Sequence, residues 1–123
     1  MSIKITTGSR EQISTFIGLP VTPFDTQAAA NAALMPDPSQ IVGDVFGTDL
    51  SVWEAMLRID ADKCLMNAHY LACRAINDRE MNIFCEGGWH RSVALGEKIK
   101  HLLEADGYEV QITHLGDTAN GVA

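Results

Sequence analysis

Apolar and polar positions alternate at the start of the chain, Ile3-Lys4-Ile5, and the alternation stops at Gly8-Ser9. This stretch is predicted to be a short strand running into a loop. Val21 to Thr26, VTPFDT, reads as a second extended segment, and Pro20 and Pro23 place it at an edge or a strand start. The alanine-rich piece Gln27 to Leu34 fits either a helical turn or two, or a padded loop, and it stops at Met35-Pro36-Asp37-Pro38-Ser39. From Asp49 the period becomes helical: Leu50, Trp53, Met56 and Leu57 share one face, and Ser51 followed by Glu54 fits a capping box. A second helix is expected from about Asp62 to Ile76, with Cys64, Ala68, Leu71 and Ala75 along one stripe. Met81 to Cys85 is a short apolar run, hence a buried strand. Ser92 to Ala105 is the third helix, Gly107 its left-handed stop, and Tyr108 to Thr113 alternates as a final strand.

Strand, Gly-rich loop, helix, turn and strand make a βαβ unit. The fold class is therefore α/β, a small and mostly parallel sheet of about four strands with helices packed on it. With 123 residues, 46% of them hydrophobic, the chain is read as one domain, 1-123, with a sizeable core. No repeat or low-complexity tract interrupts it. In parallel sheets ligands collect outside the carboxyl ends of the strands, and residues 86 to 91 lie at that address.

The residues there are Cys85-Glu86-Gly87-Gly88-Trp89-His90-Arg91-Ser92. Two glycines let consecutive amides converge into a concave nest, and the following helix adds its unpaired N–H groups and the positive end of its dipole. Arg91 offers a bidentate fork to an oxyanion, and Ser92 either caps the helix or donates to the same anion. Together these predict an anion site, against the plain alternative of a structural turn. The spacing is also C-x5-R, which suits a Cys-dependent phosphatase: a thiolate at Cys85, near a helix N-terminus, with Arg91 clamping the equatorial oxygens. Such an enzyme needs a general acid, for which Asp25, Asp44 and Asp49 are candidates. The bland reading of Cys85 is a buried strand-end residue.

Glu86 opposes an anion: a like charge at about 6 Å and an effective dielectric near 20 costs roughly 3 kcal/mol. That conflict eases if the loop turns its amides inward and Glu86 outward, or if Glu86 accepts from a ligand hydroxyl or amine. Trp89 is read either as a stacking platform or as a residue packed beneath the loop. His90 is read as a loop-bracing hydrogen-bonder. His69 and His101 look like solvated helix positions, and His114 ends a strand close to the same sheet edge.

The formal charge is −7, with nine Lys and Arg against sixteen Asp and Glu. An acidic domain without a basic run is not favoured to bind RNA or DNA, whose phosphates supply most non-specific affinity. Cys64, Cys73 and Cys85 form no CxxC pair, and no signal peptide is apparent, so a reduced, cytoplasmic protein is expected. No apolar run reaches the roughly 20 residues of a membrane span. The histidines are scattered and no cysteines sit at zinc spacing, so neither a metal nor a cofactor is expected.

The segment from Ile83 to Leu115 resembles the C-terminal domain of RapZ-type RNase adapter proteins, which carry a CTGGxHRSV loop, a helix, a Gly-Tyr-x-Val turn into a strand, and then a His. The matching residues are Cys85, Gly87, Gly88, His90, Arg91, Ser92, Val93, Gly107, Tyr108, Val110 and His114. Upstream, Phe24-Asp25, Met35-Pro36-Asp37-Pro38 and Gly47-Thr48-Asp49-Leu50 resemble further family segments in the right order. The resemblance implies a domain that binds a phosphorylated metabolite, glucosamine-6-phosphate for the adapters, and contacts small RNAs and an RNase. The family's separate ATPase domain, with its kinase-type loop, is not represented in this sequence, so ATP hydrolysis is not carried over. Departures fall at Glu86, Ser39 and Gln27, where the family has Thr, His and Arg; the basic ending is replaced by Thr113-His114-Leu115-Gly116-Asp117; and Ala28 to Ala33 is inserted.

The leading expectation is a module that captures a sugar phosphate or nucleotide through Glu86, Gly87, Gly88, Trp89, His90, Arg91 and Ser92, with Ser9, Arg10, Asp25, Ser39 and His114 on the rim. It would act as sensor, sequestering protein or regulator, and assemble as a homo-oligomer. The alternatives are a phosphatase using Cys85 and Arg91, and an RNA-binding adapter.

Overall fold

The computed structural model describes residues 2–26 and 28–117; Gln27, where the alanine-rich piece begins, lies outside them. Strand β1 (Ser2–Ser9) leads into helix α1 (Arg10–Ile17). A two-residue strand β2 (Ala30–Asn31) is followed by a 3-10 turn (Ala32–Leu34) and the short helix α2 (Ser39–Val42). Helix α3 (Leu50–Asp78), strand β3 (Glu80–Cys85), helix α4 (Arg91–Ala105) and strand β4 (Glu109–His114) complete the order. The sheet runs β2-β3-β1-β4 and every pairing is parallel. The α/β class and the strand count expected from the pattern therefore hold.

Side-chain alternation sorts the core onto two faces. Ile3, Ile5, Met81, Ile83 and Cys85 pack with α3 and α4 through Val52, Met56, Ala68, Leu71, Leu95, Ile99 and Leu103. On the other face Phe84 meets Ile13 of α1 and Ala29, with Ile17, Val21 and Leu115 beside them. Thus α1 covers the face opposite to α3 and α4. The chain runs from β1 to β2 on one side and from β3 to β4 on the other, so the order reverses between β1 and β3. Ligand crevices form at such switch points.

Three expectations change. Helix α1 is unanticipated, yet it carries full start and stop signals: Ser9 accepts from the Gln12 amide, the Gln12 side chain accepts from the Ser9 amide, and Gly18 ends the helix in the left-handed region. Residues 21 to 26 form no strand. Their place in the sheet is taken by Ala30-Asn31, because Thr26 N–H closes a turn onto Ala29 C=O at 2.8 Å and the Asp25 carboxylate accepts from the Asn31 amide. At the start of α3, Asp49 rather than Ser51 is the cap, accepting from the Ser51 amide at 2.9 Å.

The two helices expected between Asp49 and Ile76 exist as one rod broken at Asp60, whose backbone is extended (φ −158°, ψ 87°). Its carboxylate accepts from the Lys63 amide at 3.1 Å and caps the second half. Gly107 has φ +89°, as the left-handed stop requires.

Candidate functional site

Strand β3 ends at Cys85, and the loop 86–90 rises from it to the first turn of α4. Gly88 determines how closely the loop sits on the sheet. Its φ is +70°, and a Cβ there would lie 2.4 Å from the Ser9 nitrogen, at the end of β1. Only glycine meets both demands. Behind the loop, Gly47 N–H donates to Trp89 C=O at 2.8 Å, and a Cβ on Gly47 would lie 2.7 Å from the carbonyl oxygens of Trp89 and His90. Gln12 completes the support: its amide nitrogen donates to Leu115 C=O while its Oε1 accepts from Ser9 N–H.

Among the described residues, no protein group accepts from the N–H of Glu86, Gly87, Gly88, Trp89 or His90, and no side chain caps α4. Buried backbone donors are almost always paired, so a run of unpaired ones belongs where water or a ligand reaches.

Arg91 is half committed. One terminal nitrogen, Nη1, donates to Ala33 C=O at 2.6 Å and to Met35 C=O at 3.4 Å. The guanidinium thereby pins the segment after β2 against the start of α4. Among the described residues its other nitrogens donate to no protein group. Asp37 lies close enough for the charges of Arg91 and His90 to act on it. Its carboxyl is held below the usual range, chiefly by the backbone and side-chain hydrogen bonds from Ser39 and less by the nearby Arg91 charge. The His90 Nε2 is buried with no partner among the described residues.

Cys85 and Ser92 lie beneath the loop. Both are buried, and the Cys85 thiol donates to Ser92 Oγ at 3.2 Å. Cys85 belongs to the core shared with α3 and α4, the bland reading of this residue. Ser92 neither caps α4 nor reaches solvent with its hydroxyl. Of the three aspartates considered as general acids, Asp25 holds the Asn31 amide and Asp49 caps α3. Nothing places Asp44 beside the loop.

A cleft of about 520 Å³ opens where β1, β2 and β3 end, lined by Ser9, Arg10, Glu11, Pro23, Asn31, Ala33, Phe84, Cys85 and Glu86. It unites Ser9, Arg10, Cys85 and Glu86 from the anticipated set. Asp25, Ser39 and His114 do not line it. Ser39 instead supports Asp37, and His114 lies across the sheet, with Nδ1 2.6 Å from Thr7 Oγ1 and Nε2 2.7 Å from Glu97 Oε2. Trp89 packs edge-on against Phe46 at 5.7 Å between ring centroids, yet remains 37% exposed. His69 and His101 are exposed on their helices. Glu11 and Asn31 escape notice in the sequence because their relevance depends on the strand order.

No group of His, Cys, Asp and Glu able to hold a metal occurs among the described residues. Cys64, Cys73 and Cys85 are free thiols. Burial, with the nearby Asp60 charge, pushes Cys64 up to about 11. No helix among the described residues is long and apolar enough to cross a membrane.

The chain is an all-parallel α/β domain with a cleft where β1, β2 and β3 end and a glycine-containing loop leading into α4. The family model described as the RapZ C-terminal domain matches residues 22–116, which include β3, the loop, α4 and β4. The chain belongs to that family and is an adapter-type domain. A search of characterised proteins finds no match.

Proposed function

We propose that this domain captures a phosphorylated small molecule, a sugar phosphate or a nucleotide, with its phosphate in the loop 86–92 and its remainder in the cleft beside Ser9, Arg10 and Asn31. The observation that carries this reading is the row of loop amides without a protein acceptor, set against an uncapped helix N-terminus. Anions bind such arrangements because several N–H dipoles and the helix dipole point one way. The Arg91 nitrogens left over from Ala33 and Met35 add charge-assisted bonds. Glu86 is exposed, consistent with a loop that turns its side chains outward. In this reading the domain works as a cytoplasmic sensor or regulator of adapter type, its protein or RNA partner responding to whether the cleft is filled.

A thermal-shift series with inorganic phosphate, sugar phosphates and nucleotides tests the proposal. A ligand at 100 times its Kd stabilises by about 2.7 kcal/mol, a shift of several degrees for a domain of this size. If no phosphorylated compound raises the melting temperature, while the same compounds in Arg91→Ala give identical flat traces, the reading fails.

A further inference from the structure

The sheet has a second hollow, at the other end of β3. The cleft lies against Phe84, Cys85 and Glu86, where that strand ends. This hollow, of about 260 Å³, lies against its start and is lined by Ile17, Leu19, Ala28, Asp78, Glu80 and Asn82. It is smaller than the roughly 300–1,000 Å³ of pockets that enclose drug-sized ligands, so it suits a group of side-chain size. Ile17, Leu19 and Ala28 supply an apolar wall, and the polar groups left over are all acceptors.

Asn82 is 6% exposed, its Nδ2 donates to Ala28 C=O at 2.9 Å, and its Oδ1 is buried with no partner among the described residues. Buried acceptors left unpaired are costly and rare in native folds. Asp78 and Glu80 are exposed and form no ion pair among the described residues, although Lys4 stands opposite Glu80 in the β1–β3 register. Arg79, between them, has its guanidinium over the Tyr108 ring, 5.8 Å from the centroid. Two helices also end here: α1 at Ile17, capped by Gly18, and α3 at Asp78, and neither has a basic residue in its last turn. Helix C-termini carry free carbonyls and a partial negative charge, and Asp78 adds a full one where the dipole disfavours it.

We propose that this hollow binds a small organic cation, a guanidinium or primary ammonium on a short apolar stem. The charged head lies by the Asp78 and Glu80 carboxylates and the two helix ends, one of its N–H groups donates to Asn82 Oδ1, and the stem packs on Ile17 and Leu19. A bare metal ion fits less well, because only two carboxylates line the hollow and three of its six lining residues are apolar. The same head group occurs on free alkylamines and alkylguanidines and on the lysine or arginine side chain of another protein. The site shares no residue with the phosphate loop or its cleft, so the two readings stand or fall separately.

Proton–nitrogen NMR titrations of the full chain, at about 0.15 M salt to screen diffuse attraction, read the site through the Asn82 side-chain amide and the backbone amides of Gly18 and Leu19. Agmatine and a blocked Gly-Arg-Gly tripeptide are the probes, with butylurea as the neutral control. Saturable shifts centred on those signals are expected with a cationic probe and not with butylurea. Tighter agmatine supports a free cation as the natural ligand, and a tighter peptide supports a protein's side chain. Asp78→Asn with Glu80→Gln, both at exposed positions, should weaken binding by about tenfold. Asp62→Asn with Glu104→Gln removes as much charge from other exposed positions and should change it by less than about twofold. Shifts that never saturate, butylurea binding as well as agmatine, or an equal loss in the two double variants would each overturn the proposal.

Discussion

The Arg91 guanidinium donates to the Ala33 carbonyl at 2.6 Å, joining positions 58 apart in sequence. The same residue that supplies positive charge beside the loop therefore also holds the segment forming one wall of the cleft. Arg91→Ala should cost both functions: about 1.5–3 kcal/mol of phosphate affinity from the lost charged hydrogen bond, and about 1–3 kcal/mol of stability from the stranded carbonyl. Arg91→Lys separates them, retaining charge but not the fork. Calorimetric titration with inorganic phosphate beside urea unfolding of both variants distinguishes the outcomes. Unchanged affinity in folded Arg91→Ala would remove Arg91 from the site.

Two adjacent glycines make opposite predictions. Gly88 has φ +70° and its missing Cβ would collide with the backbone of β1, so Gly88→Ala should destabilise by at least ~2 kcal/mol. Gly87 faces open space, so Gly87→Ala should stay within about 0.5 kcal/mol. Denaturant midpoints of the two variants give the comparison, and equal midpoints would contradict the packing of the loop on β1.

Much of this arrangement is legible in the chain. Strand β3, the loop, helix α4 and strand β4 follow from an apolar run, paired glycines, a helical stripe ending before Gly107 and a clean alternation. Helix α1 is overlooked because Gly8-Ser9 reads as a loop, although Ser9 and Gln12 hold the spacing of a capping box. VTPFDT mimics a strand by composition. The choice of Ala30-Asn31 instead depends on Asp25 and Thr26 closing a turn, and on β3 lying alongside, which local pattern does not encode. The same holds for the cleft, since Ser9, Asn31 and Glu86 become neighbours only through the strand order.

Cys85→Ser should leave phosphate binding within about twofold, because Cys85, although it lines the cleft, is buried and its thiol is engaged with Ser92. Assays with an aryl phosphate address the phosphatase alternative on the same variant. Measurable turnover by the natural chain, abolished by Cys85→Ser with binding intact, would establish Cys85 as a nucleophile and displace the binding-module reading.

Glu97 gives the fold a specific sensitivity to acid. The hydrogen bond from His114 is the main influence holding its carboxyl below the ordinary value of 4.5, opposed by burial and assisted by the charges of His114, Lys100 and His101. A carboxyl depressed by folding contributes stability that is present above its unfolded value and lost as pH falls through the folded one. Glu97→Gln, which cannot titrate, should therefore be less stable than the natural chain near neutrality, and the gap should close as the pH is lowered beneath 4.5. Asp37 and Asp49 are also depressed and contribute to the acid limb of both proteins alike, so the difference between the two curves isolates Glu97. Urea unfolding from pH 7 down to 3 reads it; a gap constant across that range would mean that the Glu97–His114 contact carries no differential stability.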